Sequence, residues 1–221
     1  MTLSLGTTDR LPKPRRLGRT AMIDTGLPFG LFCDVICCHQ DYVDAVKFGW
    51  ATALLTDALP DKIALLREME IDCWFGGTFF ELAWQERKLG PYIEWIRKLG
   101  MTHVEISDGT VRIETAERLR LIRELSADLT VISEIGRKAA DVEPDPAEWI
   151  AAIRADLGAG AHSVILEGCE SGTAGLYDQP VTSIPSSPKS TTTATRLWRS
   201  SLTPRRSAPG CSNGPMVRGH E

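Results

Sequence analysis

Residues 101–138 read MTHVEISDGTVRIETAERLRLIRELSADLTVISEIGRK. A short apolar run, His103 to Ser107, leads into Asp108 and Gly109; a stretch of helical period follows from Thr115 to Leu125, and a second short run, Thr130 to Glu134, ends on a carboxylate. Leu119, Ile122 and Leu125 recur every three residues, so one side of that helix is apolar and would lie on a sheet. Both runs are rich in β-branched residues, as expected of strands covered on both faces. Strand, helix, strand in this order is a βαβ unit, the building block of a parallel sheet.

The same unit repeats outward in both directions, and six βα units are countable between Thr20 and about Gly172. The other expected strands are Ala21 to Asp24, Val43 to Phe48, Asp72 to Phe75 and Ser163 to Glu167. Expected helices are Pro60 to Met69, Thr78 to Arg87, Tyr92 to Leu99 stopping at Gly100, and Pro146 to Leu157 stopping at Gly158, with Ile93, Ile96 and Leu99 on a sheet-facing stripe. The pattern allows a (β/α)8 barrel of the TIM type or an open doubly wound sheet. Two features favour the barrel. No Gly-rich turn follows the first strand, so a dinucleotide-binding sheet would lack its phosphate loop. Most strands also end in charge: Asp24, Lys47, Glu105 with Asp108, Glu134 with Lys138, and Glu167 with Glu170, which is where barrel enzymes keep their chemistry.

After about Tyr177 the chain changes character. Val181 to Glu221 is nearly half Ser, Thr and Pro and has neither strand nor helix period. The expected division is an N-terminal extension (1–19), an incomplete barrel domain (20–178) and a low-complexity, disordered tail (179–221). A closed barrel of this class has eight strands and only six precede the tail. A frameshift or aberrant C-terminus is therefore expected.

The formal net charge is −4; residues 181–221 carry +5, which leaves −9 on residues 1–180. An acidic body argues against a nucleic-acid surface. No apolar run reaches the length of a membrane span, and MTLSLGTTDRLPKPRRLGRT places basic and Pro residues where a signal peptide is apolar, so a cytoplasmic location is expected. Cys33, Cys37, Cys38 and Cys73 sit in apolar sequence and read as reduced thiols. FCDVICCH (Phe32 to His39) looks like a metal motif, but the iron–sulfur spacing would need a cysteine where Gln40 stands, and Cys33 with Cys37 falls on one helix face. His103 and His162 open strands and read as packed or solvated side chains.

Five segments carry a resemblance: VDAVKFGWATALL (Val43 to Leu55), GGTFFELA (Gly76 to Ala83), VEISDGT (Val104 to Thr110), SEIGRK (Ser133 to Lys138) and LEGCESG (Leu166 to Gly172). In order, spacing and strand-end placement they resemble the phosphosulfolactate synthase family of barrel proteins, which also includes plant heat-stress relatives. The resemblance implies Mg2+-assisted addition of sulfite to phosphoenolpyruvate, giving phosphosulfolactate. Sulfite would attack the terminal methylene, and the electrons would move into the substrate carboxylate, where a hard cation stabilises them.

Carried onto this chain, the resemblance implies metal ligands among Glu105, Asp108, Glu134 and Glu167, with Glu81 and Asp24 as weaker candidates. Lys138 and Lys47 are the expected catalytic cations. Either would bind phosphate, and one would protonate the carbon bearing it once neighbouring cations lower its pKa, Lys138 being preferred. An ion pair with a carboxylate is the competing reading for Lys47. Gly76, Gly77, Ser107, Gly109, Glu170 and Ser171 are the expected substrate-binding residues, with helix N-termini at Thr78 and Thr110 facing the anion. A homo-oligomer is compatible with the resemblance.

Two positions depart from the family. Cys169 stands where the family has Arg, the residue suited to bidentate anion recognition, and Ala51 stands where the family commonly has Gly, a small change if the backbone there is helical. These departures leave room for a catalytically inactive relative with a stress-associated or binding role, or for a truncated product without function.

Overall fold

A computed structural model describes residues 11–15, 17–136 and 146–166. Helices and short strands alternate in the order β1 Ala21–Asp24, α1 Phe29–His39, β2 Ala45–Phe48, a 3-10 turn Thr52–Leu55, α2 Leu59–Glu68, β3 Asp72–Phe75, α3 Gly77–Gln85, α4 Leu89–Lys98, β4 His103–Ile106, α5 Thr115–Leu125, β5 Thr130–Ile135, α6 Pro146–Ala159 and β6 Ser163–Leu166. The strands form two three-stranded parallel sheets, β1-β2-β3 and β4-β5-β6. The fold is α/β with parallel strands, as the βαβ reading requires.

Strand alternation sorts the side chains into two faces. Val46, Phe48, Cys73, Phe75, Val104, Ile106 and Val131 join one continuous core with Phe32 and Ile36 of α1, Ile63 and Leu66 of α2, Phe79 and Phe80 of α3, Ile93 and Ile96 of α4, and Leu121 and Ile122 of α5. The alternate residues Ala45, Trp74 and Ile132 form a separate small cluster with Ile165. All six described helices, α6 through Ala159, therefore contribute to the core on one face of the strands. An open doubly wound sheet would divide them between two.

Local chemistry explains most of the boundaries. α2 starts with Pro in its first turn beside Asp61, and α4 ends in Arg97 and Lys98, which complement the helix dipole, before Gly100 takes φ 71°. α6 runs through Gly158 and stops only before Gly160, at φ 116°. α1 contains Cys33 and Cys37, expected on one helix face though without bounds for the helix, and Phe32 and Ile36, one turn apart, are its buried residues. Cys37 and Cys38 on that helix are exposed, contrary to the apolar surroundings expected of them; none of Cys33, Cys37, Cys38 and Cys73 forms a disulfide. No described helix is long and apolar enough to cross a membrane.

Residues ahead of β1 are tied to the strands. Arg15 pairs with Asp44 at 2.7 Å, Asp44 accepts the Thr20 amide at 2.8 Å, and Arg19 pairs with Asp72 at 3.0 Å. The turn after β2 is strained: Trp50 and Ala51 have φ of 46° and 56°. Ala51 therefore lies in the left-handed region and not in a helical one, so a side chain there in place of glycine is not a small change.

Candidate functional site

The face turned away from the helices carries Lys47 on β2, Glu105 on β4 and Glu134 on β5, near the C-terminal ends of their strands. Lys47 Nζ lies 2.8 Å from Glu105 Oε1 and 3.2 Å from Glu134 Oε2. Glu105 is fully buried; its Oε2 accepts from Trp74 Nε1 at 2.6 Å and its Oε1 from the Gly77 amide at 2.5 Å. These bonds join β3 and the start of α3 to β4, where no strand ladder connects the two sheets.

A second link runs through Ser107, just past β4. Its hydroxyl lies 2.5 Å from Glu81 Oε1 and 2.9 Å from Glu134 Oε1. A hydroxyl has one hydrogen and can donate to only one of these oxygens. The carboxylates Glu81, Glu105 and Glu134 thus converge on one ammonium and one hydroxyl, an arrangement with more negative than positive charge. Glu81, only 1% exposed, also accepts from the Gly109 amide at 2.8 Å and from the Thr110 hydroxyl.

Burial shifts these groups. Desolvation, reinforced by the charge of Glu134, pushes the Glu105 carboxyl up to about 7 despite the opposing pull of Lys47. Burial alone would lower the Lys47 ammonium, but the charges and hydrogen bonds of Glu105 and Glu134 outweigh it and hold the pKa above the ordinary lysine value. The condition for Lys47 to act as an acid, a pKa lowered by cations, is not met; its neighbours are carboxylates.

The two glycines after β3 are explained by close approach. A Cβ on Gly76 would stand 2.7 Å from Lys47 Cε, and one on Gly77 would stand 2.4 Å from Ser107 Cβ and 2.8 Å from Glu105 Oε1. Glycine is what allows Lys47 to cross behind β3 and Ser107 to meet α3. The Gly77 amide at the head of α3 is engaged by Glu105, and no helix begins at Thr110; the next starts at Thr115.

Lys47, Glu105, Glu134, Ser107, Gly76, Gly77 and Gly109 are therefore brought together. Asp108 instead turns to Arg118 of α5, at 3.5 Å, and Arg118 in turn reaches Asp156 of α6 at 3.3 Å. Asp24 faces the helices and pairs with buried Lys62 at 2.6 Å. Lys138, Glu167, Cys169, Glu170 and Ser171 lie outside the described residues. Trp74 carries no signal in the sequence reading, and Thr110, expected at a helix N-terminus facing the anion, instead donates its hydroxyl to Glu81. Glu81 was given too little weight, although a Glu interrupting the apolar run Phe79, Phe80, Ala83 was a visible signal.

Hard carboxylate oxygens and an excess of negative charge suit Mg2+ in kind. Among the described residues, however, no group of three His, Cys, Asp or Glu side chains is arranged to hold a metal, and the oxygens of Glu105 and Glu134 face Lys47, Trp74, Gly77 and Ser107. An ion held by Glu105 and Glu134 would have to displace some of these partners.

Residues 8–187 match the family described as (2R)-phospho-3-sulfolactate synthase (ComA). A phosphosulfolactate synthase of Bacillus subtilis (strain 168) is 40% identical over 169 residues, covering 76% of this chain and 67% of that protein. One from Methanothermobacter thermautotrophicus (strain Delta H) is 40% identical over 182 residues, covering 78% and 69%. Among solved structures, the YdjI aldolase from Escherichia coli K12 aligns at TM-score 0.44 and 13% identity over 67% of this chain and 54% of that one, too distant to add to the family match.

Proposed function

The chain belongs to the (2R)-phospho-3-sulfolactate synthase family, and from that premise we propose that it adds sulfite to phosphoenolpyruvate at the Lys47–Glu105–Glu134 cluster. The observation that carries this reading is the Lys47 ammonium, fixed between two carboxylates at the C-terminal ends of parallel strands.

In the proposed reaction the sulfite sulfur forms a bond to the methylene carbon, the π electrons move towards the substrate carboxylate, and a proton is added at the carbon bearing phosphate. Mg2+, held by Glu105 and Glu134 when bound, would act as a Lewis acid on that carboxylate. Lys47, kept protonated by its neighbours, supplies a fixed positive charge where negative charge develops, which needs no reorganisation during the reaction. It is a poor proton donor for the same reason, so the acid role stays with Lys138, four residues beyond Glu134. The described cluster holds more carboxylates than cations, and its anionic substrates need further positive charge, which Mg2+ and Lys138 would supply.

The architecture that fits this chemistry is a (β/α)8-type barrel of which β1–β6 are part, since every described helix packs on one face and Lys47, Glu105 and Glu134 occupy the other. A catalytically inactive relative is the second reading, favoured by Cys169 in place of the family's Arg and by the left-handed Ala51. Phosphorus NMR of the chain with phosphoenolpyruvate, sulfite and Mg2+ separates them: a new phosphosulfolactate resonance supports the synthase, and unchanged phosphoenolpyruvate with a folded protein supports the inactive relative.

A further inference from the structure

We propose that Glu81 is a positioning residue that acts through Ser107, fixing the 107–110 loop so that Glu134 and Lys47 hold their places in the site. The proposal rests on the synthase reading for its kinetic consequence. Glu81 lies one helical turn into α3, whose first amide already binds Glu105, so α3 contacts the site at two points. Among the described residues its three hydrogen-bonding partners belong to one loop: the Ser107 hydroxyl, the Gly109 amide and the Thr110 hydroxyl. A carboxylate that only capped a turn would be content with the amide and Thr110. Ser107, however, is shared with Glu134, whose other oxygen lies 3.2 Å from Lys47 Nζ. Removing the Glu81 charge frees the Ser107 hydroxyl to turn wholly to Glu134 and leaves the loop without its anchor.

Hydrogen exchange read by mass spectrometry tests the anchor directly. In Glu81→Gln, which keeps the side-chain volume, exchange of the 107–114 amides rises about tenfold while peptides of α2 and β2 are unchanged. Unchanged exchange at 107–114 overturns the proposal, whatever the activity of the chain. Kinetics tests the route through Ser107. Glu81→Gln lowers kcat about 10²-fold with KM little changed, and adds no further loss on top of Ser107→Ala. Full additivity of the two losses overturns the proposal. A wild-type chain that makes no product while Glu81→Gln still loosens the loop contradicts the synthase reading alone and supports the anchor.

Discussion

Lys47 on β2 reaches across β3 to place its ammonium 2.8 Å from Glu105 of β4, and Gly76 leaves the space for it to do so. The pair joins one three-stranded sheet to the other and sets the charge of the site.

Gly76→Ala and Gly77→Ala separate activity from stability. The Gly76 methyl would meet the flexible end of Lys47, so this variant should melt near wild type yet lose activity as the ammonium is displaced. The Gly77 methyl would meet Ser107 Cβ, which cannot move without the backbone, and should cost about 1–3 kcal/mol in chemical denaturation as well as activity.

Glu105 gives the fold a pH dependence of definite sign. Its carboxyl is raised from 4.5 to about 7, so between these values the native state holds a proton that the unfolded chain has released. The stabilisation is fully present below pH 4.5 and is lost as pH rises through about 7, up to about 3 kcal/mol. His103 and His162 are lowered chiefly by burial and contribute the opposite slope below their ordinary value. Denaturation of wild type and Glu105→Gln across pH 4 to 8 isolates the Glu105 contribution as the difference, which should shrink the decline with pH.

Lys62→Met provides a structural contrast to Lys47→Met. Lys62 and Asp24 are buried on the helix side, so breaking their pair should cost about 3–5 kcal/mol and leave the activity of the remaining folded molecules intact. Lys47→Met should abolish activity even in samples shown by circular dichroism to be folded.

Ala51→Gly should raise stability by up to about 1 kcal/mol, because glycine occupies φ 56° without the Cβ penalty. An unchanged thermal midpoint would contradict the strain at this turn.

Much of this organisation is legible in the sequence. The strands at Ala21–Asp24 and Asp72–Phe75 and the helix Thr115–Leu125 follow directly from apolar period and flanking punctuation. The helix face shared by Cys33 and Cys37 is legible, but the bounds of α1 are not, because its cysteines and Gly30 blur the helical stripe that Phe32 and Ile36 mark. Strand-end position brought Lys47, Glu105 and Glu134 into view, but alternation decides which face each residue joins: Asp24, also at a strand end, points to the helices. Loop geometry is less legible. Nothing in VEISDGT tells that Asp108 turns to Arg118 while Ser107 turns inward, since that depends on partners brought from α3 and α5 by the fold.

The central claim is that the Lys47–Glu105–Glu134 cluster carries sulfite addition to phosphoenolpyruvate. It is tested most directly by phosphorus NMR of wild type and Lys47→Met with both substrates, in Mg2+ and then in excess EDTA. A phosphosulfolactate resonance from wild type in Mg2+, lost with EDTA and absent from folded Lys47→Met, is the predicted result. Equal product from Lys47→Met, or none from folded wild type, would contradict it.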